Sequence, residues 1–280
     1  MTGLIQPSKA VEIKTCCASL YASDWAQALL GESFHPGGVA LTERLGSILK
    51  LEPGKRLLDV ACGKGTSAIY LTQRYGCEVV GVDYSRELVA EAMAAAEAAG
   101  LVDRVQFRTA DAEALPFPDG YFDALICECA FCTFPDKAAA ASEFARVLRV
   151  EGRVGLSDLT RTGELPGDLD DLLAWIACIG DARPLEEYLR YLTAANFAIE
   201  TVEEHHDALS VLVQDIRAKL LGAELLVKLN KLDLPGVDFD RARGLARSAA
   251  EAVRVGKLGY ALVVGVRGYM SGKIPAGHDF

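Results

Sequence analysis

The chain has 280 residues, of which 51% are hydrophobic and 24% charged, a composition that excludes a largely disordered chain. Its length is ample for a sizeable core, as one large domain or two small ones. The 29 basic residues are outnumbered by 39 acidic ones, giving a net charge of −10. This balance argues against a nucleic-acid partner, because general phosphate-backbone binders need a basic face.

No targeting or membrane segment is evident in the sequence. The first residues, MTGLIQPSKAVEIKT, contain no basic segment followed by an apolar run. The longest nearly uninterrupted apolar stretch, Leu258 to Val266, is shorter than the roughly 18 residues that a membrane span needs. We therefore expect a cytoplasmic protein without a membrane partner, whose eight cysteines remain reduced.

The first half of the chain alternates strand-like runs with helix-length segments. The strand-like runs are Arg56–Ala61, Glu78–Asp83, Val105–Ala110, Tyr121–Cys127 and Arg153–Asp158. Ser85 and Asp136 precede two of the helical segments and are predicted to cap them. Regular alternation of strands and helices predicts an α/β fold with a parallel sheet.

The second half of the chain contains more helix. Helices are predicted at about residues 169–177, 185–195, 209–232 and 240–255, and strands at 197–206 and 258–267. We expect the last two strands to form the far edge of the same sheet, with the helical pair inserted between them. The Leu/Val pattern of the first inserted helix is typical of a packed cap or of a homodimer face, and the sequence does not separate the two.

A glycine-containing turn follows the first strand, where RLLDVA runs into CGKGT and then into a helix. Open α/β sheets bind their ligands at this place. Gly63 and Gly65 lack a Cβ, so backbone N–H groups can approach a ligand at the positive end of the helix. A phosphate-binding Walker loop is excluded because GxxxxGK[ST] is absent, and Ala68 replaces the third glycine of a dinucleotide fingerprint.

The next two strands also end in carboxylates. Asp83 ends the second strand, where it can accept the two hydroxyls of a ribose, and Tyr84 beside it could lie against an adenine. The third strand ends in Ala110-Asp111-Ala112, where Asp111 can meet an adenine amino group. Together these strand ends predict a nucleoside pocket.

The segments LLDVACGKGT, GVDYS, RTADAEALPFPDGYFDALI and FARVLRVEGRVGLSD resemble class I S-adenosylmethionine-dependent methyltransferases, over about residues 56–158. The resemblance implies S-adenosylmethionine as cofactor. It also implies a seven-stranded, mostly parallel Rossmann-like sheet with a reversed last strand, helices on both faces and a helical cap. The predicted cofactor-binding residues are Asp59, Ala61, Gly63, Gly65, Asp83, Tyr84, Asp111, Ala112 and Cys127, with Ala61 where the family usually has glycine.

This resemblance also suggests a domain organisation. Residues 1–50 would form an N-terminal helical lid segment, residues 51–160 the S-adenosylmethionine-binding core, and residues 161–280 the helical cap with the last two strands. Tyr21 and Trp25 share one helical face of the lid segment. We interpret them as packing residues, with covering of the cofactor as the alternative.

The acceptor side is marked by clustered cysteines. The fourth strand ends in Cys127-Glu128-Cys129-Ala130-Phe131-Cys132, Cys178 follows later, and Cys16-Cys17 lie near the N-terminus. Soft thiolates suit a thiophilic metalloid. The stretch from Leu125 onward is similar to arsenite methyltransferases, and the resemblance implies that Cys129, Cys178 and either Cys16 or Cys17 bind As(III). We assign Cys129, Cys178, Cys17 and Glu128 as acceptor-site residues.

Glu128 stands where the arsenite family has asparagine, so we expect it to orient the cofactor ammonium or a substrate donor. Three other interpretations of this region stay open. Cys129-x-x-Cys132 with Cys16-Cys17 could hold a structural zinc or act as a redox dithiol, although we assign no metal site. The acceptor could be a small organic molecule methylated on C, N or O, as in quinone biosynthesis, with His35 or one of His205-His206 as base. The chain could also be a non-catalytic, cofactor-binding regulatory protein.

Overall fold

A single seven-stranded sheet organises the chain in the computed structural model, which describes residues 7–22, 35–164, 179, 181–234 and 238–269. The strands are β1 (Arg56–Val60), β2 (Glu78–Asp83), β3 (Val105–Thr109), β4 (Phe122–Glu128), β5 (Leu148–Arg161), β6 (Phe197–Glu204) and β7 (Leu258–Arg267). Their order in the sheet is β3-β2-β1-β4-β5-β7-β6, and β7 runs antiparallel to both of its neighbours. The predicted seven-stranded, mostly parallel sheet with a reversed last strand is confirmed.

The helices pack on this sheet. They are α1 (Pro7–Tyr21), α2 (Gly38–Ile48), α3 (Thr66–Tyr75), α4 (Arg86–Ala98), α5 (Lys137–Val147), α6 (Leu185–Ala194), α7 (His206–Lys228) and α8 (Phe239–Arg254). Both predicted helix caps are confirmed, since the Ser85 side chain accepts from the backbone N–H of Leu88 and that of Asp136 from Ala139. These caps place α4 and α5 directly after the tips of β2 and β4.

The core lies along the central strands. Leu57 and Leu58 in β1, and Leu125 and Ile126 in β4, are completely buried. Strands covered on both faces read as continuous apolar runs, which is why RLLDV and DALIC were recognisable in the sequence. Parallel pairing of β1 with β2 and β4, and of β2 with β3, brings the carboxyl ends of four strands to one edge.

The insertion of a helical pair between the last two strands is also confirmed. α7 and α8 pack against each other, and α7 buries Leu209, Val213 and Leu220. Its other side exposes Leu221 and Leu225, at 57% each. Part of the Leu/Val pattern is therefore a packed cap, and the role of the exposed part as a dimer face stays a prediction.

Three local expectations need revision or fall outside the structure. β5 begins at Leu148, earlier than predicted, because Leu148 already pairs with Phe122. His205 and His206 do not alternate along a strand, since β6 ends at Glu204 and α7 begins at His206. The predicted helix at 169–177 lies outside the described residues. Among the described helices, none is long and apolar enough to cross a membrane.

Candidate functional site

The loop after β1 has an unusual backbone. Ala61, Gly63 and Gly65 all have positive φ angles, at 59°, 53° and 78°. Glycine adopts this left-handed region readily, whereas alanine has a steric cost there. Gly65 precedes α3, and a Cβ at this position would come within 2.4 Å of the Phe107 ring. Gly65 is therefore required by the close packing of the helix start on β3.

Asp83 connects this loop to the tip of β2. One of its carboxylate oxygens accepts from the backbone N–H of Gly63 at 2.9 Å, and the other accepts from that of Ser85 at 2.9 Å. Burial raises the pKa of Asp83, and the backbone hydrogen bonds work against that rise. The carboxylate is thus held rigidly at the place predicted for ribose recognition.

A pocket opens over the tips of β1, β2, β3 and β4. Its empty volume, including the solvent space at its open mouth, is ≈ 850 Å³. Most of the predicted cofactor-binding residues line it: Ala61, Gly63, Asp83, Tyr84, Asp111 and Ala112. Glu128 and Cys129, two of the predicted acceptor-site residues, line it as well.

Three other predicted cofactor residues do not line this pocket. Gly65 packs on Phe107, as described above, and Asp59 is buried at 2% exposure. The Cys127 side chain is completely buried, and this burial raises the pKa of its thiol well above the usual value. Cys127 was predicted at the cofactor from its place at the strand end, but its side chain belongs to the core cluster.

Asp59 has an unusual environment beneath the pocket. Its Oδ2 atom is buried and has no hydrogen-bond partner among the described residues. Burial raises the pKa of Asp59 well above its usual value, and the nearby carboxylates of Glu128 and Asp83 add to this effect. The protein alone therefore favours the protonated form of Asp59, because its burial and the neighbouring carboxylates both disfavour a further negative charge there.

Glu128 is held by side chains from two helices. Thr42 of α2 donates its hydroxyl to Oε1 at 3.0 Å, and Ser67 of α3 donates to Oε2 at 2.6 Å. His35 Nε2 lies 3.7 Å from the same Oε2, and the two side chains are only 7% and 5% exposed. We call Glu128, Thr42, Ser67 and His35 the Glu128 cluster. It joins a carboxylate at the pocket wall to a buried imidazole.

The cysteines separate into different environments. Cys129 lines the pocket and has a positive φ of 53°. Cys132, Cys62 and Cys77 are all buried, and burial raises the pKa of Cys77 to about 11. Within the described residues no group of three or more His, Cys, Asp or Glu side chains is arranged to hold a metal ion.

Several predicted residues cannot be placed. Cys178 and Trp25 lie outside the described residues. Cys16 and Cys17 belong to α1, but their side chains are outside the described part of the structure. Tyr21 lines the pocket and also packs against the core, so its place is compatible with both of its predicted roles.

Sequence reasoning missed Lys14, Thr42 and Ser67. Lys14 lines the pocket from α1, and it precedes Ala18 and Tyr21 at helical spacing, which was the available signal. Thr42 lies four residues before the buried Gly46 on the buried face of α2, and Ser67 lies in the first turn after the glycine loop. Hydroxyl residues at such places are common, so no pattern pointed to Glu128 as their partner.

These residues fit the cofactor that the sequence predicts. S-adenosylmethionine carries a positively charged sulphonium and an ammonium group, and the inner part of the site offers three buried carboxylates: Asp59, Asp83 and Glu128. The unpartnered oxygen of Asp59 points to the same conclusion, since a nearby cation would favour the ionised form of this buried carboxyl group. Asp83 and Tyr84 would hold the ribose and adenine, and the Ala61–Gly63 loop the methionine part.

Comparison with known proteins agrees with this assignment. A family described as "Methyltransferase domain" matches residues 58–156. The methyltransferase GfsG of Streptomyces halstedii is 34% identical over 154 residues, and the chain spans 55% of its length. The 27-O-demethylrifamycin SV methyltransferase of Amycolatopsis mediterranei is 32% identical over 198 residues, which cover 65% of this chain and 72% of that protein.

A solved structure shows the same fold. Geranyl diphosphate methyltransferase, in complex with geranyl diphosphate and sinefungin, superimposes with a TM-score of 0.73 over 91% of this chain and 99% of the other, at 20% identity. The sheet order, the pocket at the strand tips and the match to the rifamycin enzyme agree. This chain belongs to the family of S-adenosylmethionine-dependent methyltransferases.

Proposed function

We propose that this protein transfers a methyl group from S-adenosylmethionine to a small organic acceptor, and that Glu128 serves the acceptor at the inner end of the pocket. The observation that carries the proposal is the Glu128 cluster beside Cys129 on the pocket wall. Bound S-adenosylmethionine supplies an electrophilic methyl group. Two similar proteins, a demethylrifamycin methyltransferase and a geranyl diphosphate methyltransferase, are likewise named for organic acceptors.

The Glu128 cluster suits an acceptor that loses a proton when it is methylated. The Thr42 and Ser67 hydroxyls orient the carboxylate, so it is ready to accept a hydrogen bond from an acceptor O–H, N–H or acidic C–H group. His35 Nδ1 lies 3.2 Å from the carbonyl oxygen of Pro36, which favours the proton on Nδ1 and leaves Nε2 facing Glu128. Glu128 would accept the proton, and His35 Nε2 could share it.

A thiol-bound metalloid is the second candidate, favoured by the position of Cys129 on the pocket wall. Three thiolates would be needed around As(III), and the partners that the arsenite resemblance implies, Cys17 and Cys178, lie outside the described side chains. Cys127 does not supply one, because its burial raises the pKa of the thiol and keeps it protonated. Such a reaction would also give Glu128 no proton to accept, because sulfur-bound arsenic has none to lose.

The experiment supplies methyl-labelled S-adenosylmethionine with a panel of phenols, quinols and amines, and separately with arsenite and a thiol reductant. For the organic acceptor that is turned over, we expect Glu128→Gln to lower kcat/KM by about 10²-fold or more, as for a general base. Cys129→Ser and Cys178→Ser should stay within about three-fold of wild type, since a serine hydroxyl nearly preserves the packing volume.

Two control measurements test whether a loss of turnover in Glu128→Gln comes from the loss of the base. S-adenosylhomocysteine should bind Glu128→Gln within about three-fold of wild type, because it lacks the sulphonium charge and the amide keeps the size of the carboxylate with one oxygen to accept from a neighbouring hydroxyl. The exposed Glu91→Gln on α4 is the matched control and should leave turnover unchanged. Turnover of arsenite by wild type, lost in Cys129→Ser and Cys178→Ser but kept in Glu128→Gln, would reverse the order of the two candidates.

A further inference from the structure

One face of α1 forms a wall of the cofactor pocket. Lys14, Ala18 and Tyr21 all line the pocket, and their spacing of four and then three residues places them on the same side of the helix. The same pocket is lined by Asp83, Tyr84 and the Ala110–Ala112 segment, at the end predicted to hold the adenosine. The pocket is therefore closed on one side by a helix that precedes the sheet in the chain.

Lys14 ties this helix to the loop after β3. Its ammonium donates to both carboxylate oxygens of Asp111, at 2.9 and 2.7 Å, and to Oε2 of Glu113 at 2.5 Å. The Lys14 side chain is 13% exposed and that of Glu113 is 15% exposed, so water screens this contact less than a surface ion pair. Burial alone would lower the pKa of Lys14, but the hydrogen bonds to Asp111 and Glu113 outweigh it and raise the pKa.

The two carboxylates that bind Lys14 are themselves held by backbone N–H groups. Glu113 accepts a second hydrogen bond at its Oε1 from the backbone N–H of Asp136, the N-cap residue of α5, at 2.8 Å. Asp111 is itself held by the backbone N–H of Glu113 at 3.0 Å. The acceptors of Lys14 thus belong to a rigid network joining the tip of β3 to α5, whereas Lys14 approaches from a separate helix.

We propose that α1 is a lid over the adenosine end of the pocket and that Lys14 is its latch, so that breaking the Lys14 contacts with Asp111 and Glu113 sets the rate at which the cofactor enters and leaves. The inference does not depend on which acceptor is methylated. Lys14 acts as a positioning residue for the lid. Its partner Glu113 does not line the pocket among the described residues, so it can be changed without removing a wall of the site.

A latch and a direct ligand contact differ in their kinetics. A latch slows both association and dissociation, because the lid must open for either, whereas a direct contact slows dissociation only. S-adenosylhomocysteine is the suitable probe, since it lacks the sulphonium charge. Removing the Lys14 charge therefore changes its electrostatic attraction to the site less than that of S-adenosylmethionine.

The test measures association and dissociation rate constants of S-adenosylhomocysteine on the immobilised protein. For Lys14→Met and Glu113→Gln we expect both rate constants to rise about five- to ten-fold, with the Kd within about three-fold of wild type. Lys14→Arg should restore slower rates. Raising the salt concentration should accelerate wild type and leave Lys14→Met unchanged, because only the former has an ion pair to screen.

Lys55→Met is the matched control, since Lys55 is also ion-paired, with Glu52 and Asp123, but lies beside the amino end of β1. Hydrogen exchange of the α1 amides should be faster in Lys14→Met and Glu113→Gln than in Lys55→Met. A rise in the dissociation rate constant alone would overturn the latch, as would unchanged rates in both variants. If Lys14→Met unfolds, the rate constants of Glu113→Gln decide between a latch and a direct contact in the same way.

Discussion

The carboxylate at the tip of β2 and the carboxylates at the neighbouring tips of β1 and β4 have opposite hydrogen-bonding environments. At β2, Asp83 receives backbone N–H groups on both oxygens. At β1 and β4, Glu128 is held by hydroxyl groups alone apart from the nearby His35, and Asp59 keeps an oxygen without a partner among the described residues. In the first region the protein itself supplies the hydrogen bonds, whereas in the second it raises the pKa of Asp59, and a cationic ligand would favour the ionised form.

The largest expected effect is a loss of ligand affinity when Asp83, at the tip of β2, is replaced. Asp83→Ala removes the carboxylate and releases the N–H groups of Gly63 and Ser85, so the loop and the ribose contact are lost together. We expect S-adenosylhomocysteine affinity to fall roughly 10- to 100-fold, as for loss of hydrogen bonds to a charged group worth about 1.5–3 kcal/mol. Isothermal titration calorimetry measures it, with the exposed Glu97→Ala of α4 as control. A change below about three-fold would contradict this view of β2.

Asp59→Asn tests the region at the tips of β1 and β4, where an oxygen of Asp59 has no hydrogen-bond partner among the described residues. The expected effects on stability and on binding have opposite signs. Without ligand the variant should be more stable by about 1–3 kcal/mol, because an amide can donate to the neighbouring carboxylates and cannot ionise in this buried place. Affinity for S-adenosylmethionine should fall more than affinity for S-adenosylhomocysteine, because the former has the additional sulphonium charge. Urea unfolding and calorimetry measure the two effects.

The stability difference between wild type and Asp59→Asn should depend on pH, because the pKa of Asp59 differs between the folded and unfolded states. In the unfolded chain Asp59 ionises near its usual pKa of about 3.9, and in the fold its pKa is raised. The folded state therefore binds more protons between these two values, and the contribution of Asp59 to stability falls as the pH rises through that window. The advantage of Asp59→Asn should grow as the pH rises above about 4, and a constant advantage would argue against the raised pKa.

The smallest effect concerns the backbone between the two regions. Ala61 has a φ of 59°, where a Cβ costs about 1–2 kcal/mol, while glycine costs about 0.5–1 kcal/mol more chain entropy on folding. Ala61→Gly should therefore stabilise the fold by no more than about 1 kcal/mol in urea unfolding. Ala94→Gly, on the exposed side of α4, should destabilise it by about 1 kcal/mol. The same sign for both variants would contradict the steric account.

The sequence by itself determined the strands (apart from the start of β5), the two helix caps and the side of the pocket formed by Asp83 and the glycine loop. β2 was predicted with its observed ends, and Ser85 and Asp136 cap their helices as their position before apolar helical segments indicates. Asp83 binds Gly63, which the glycine loop and the strand order already bring to one edge. These features depend on short-range chemistry and on the rule that parallel strands end together.

Only the tertiary structure decided which side chains meet across long distances. The Glu128 cluster joins residues 86 and 61 positions apart, and the Lys14 latch joins residues 97 apart. Cys127 and Glu128 are neighbours at the strand end, yet one is buried in the core and the other reaches the pocket. Periodicity indicates which face of an element is apolar, but hydrogen-bond partners depend on how separate elements pack, and that packing is a property of the whole chain.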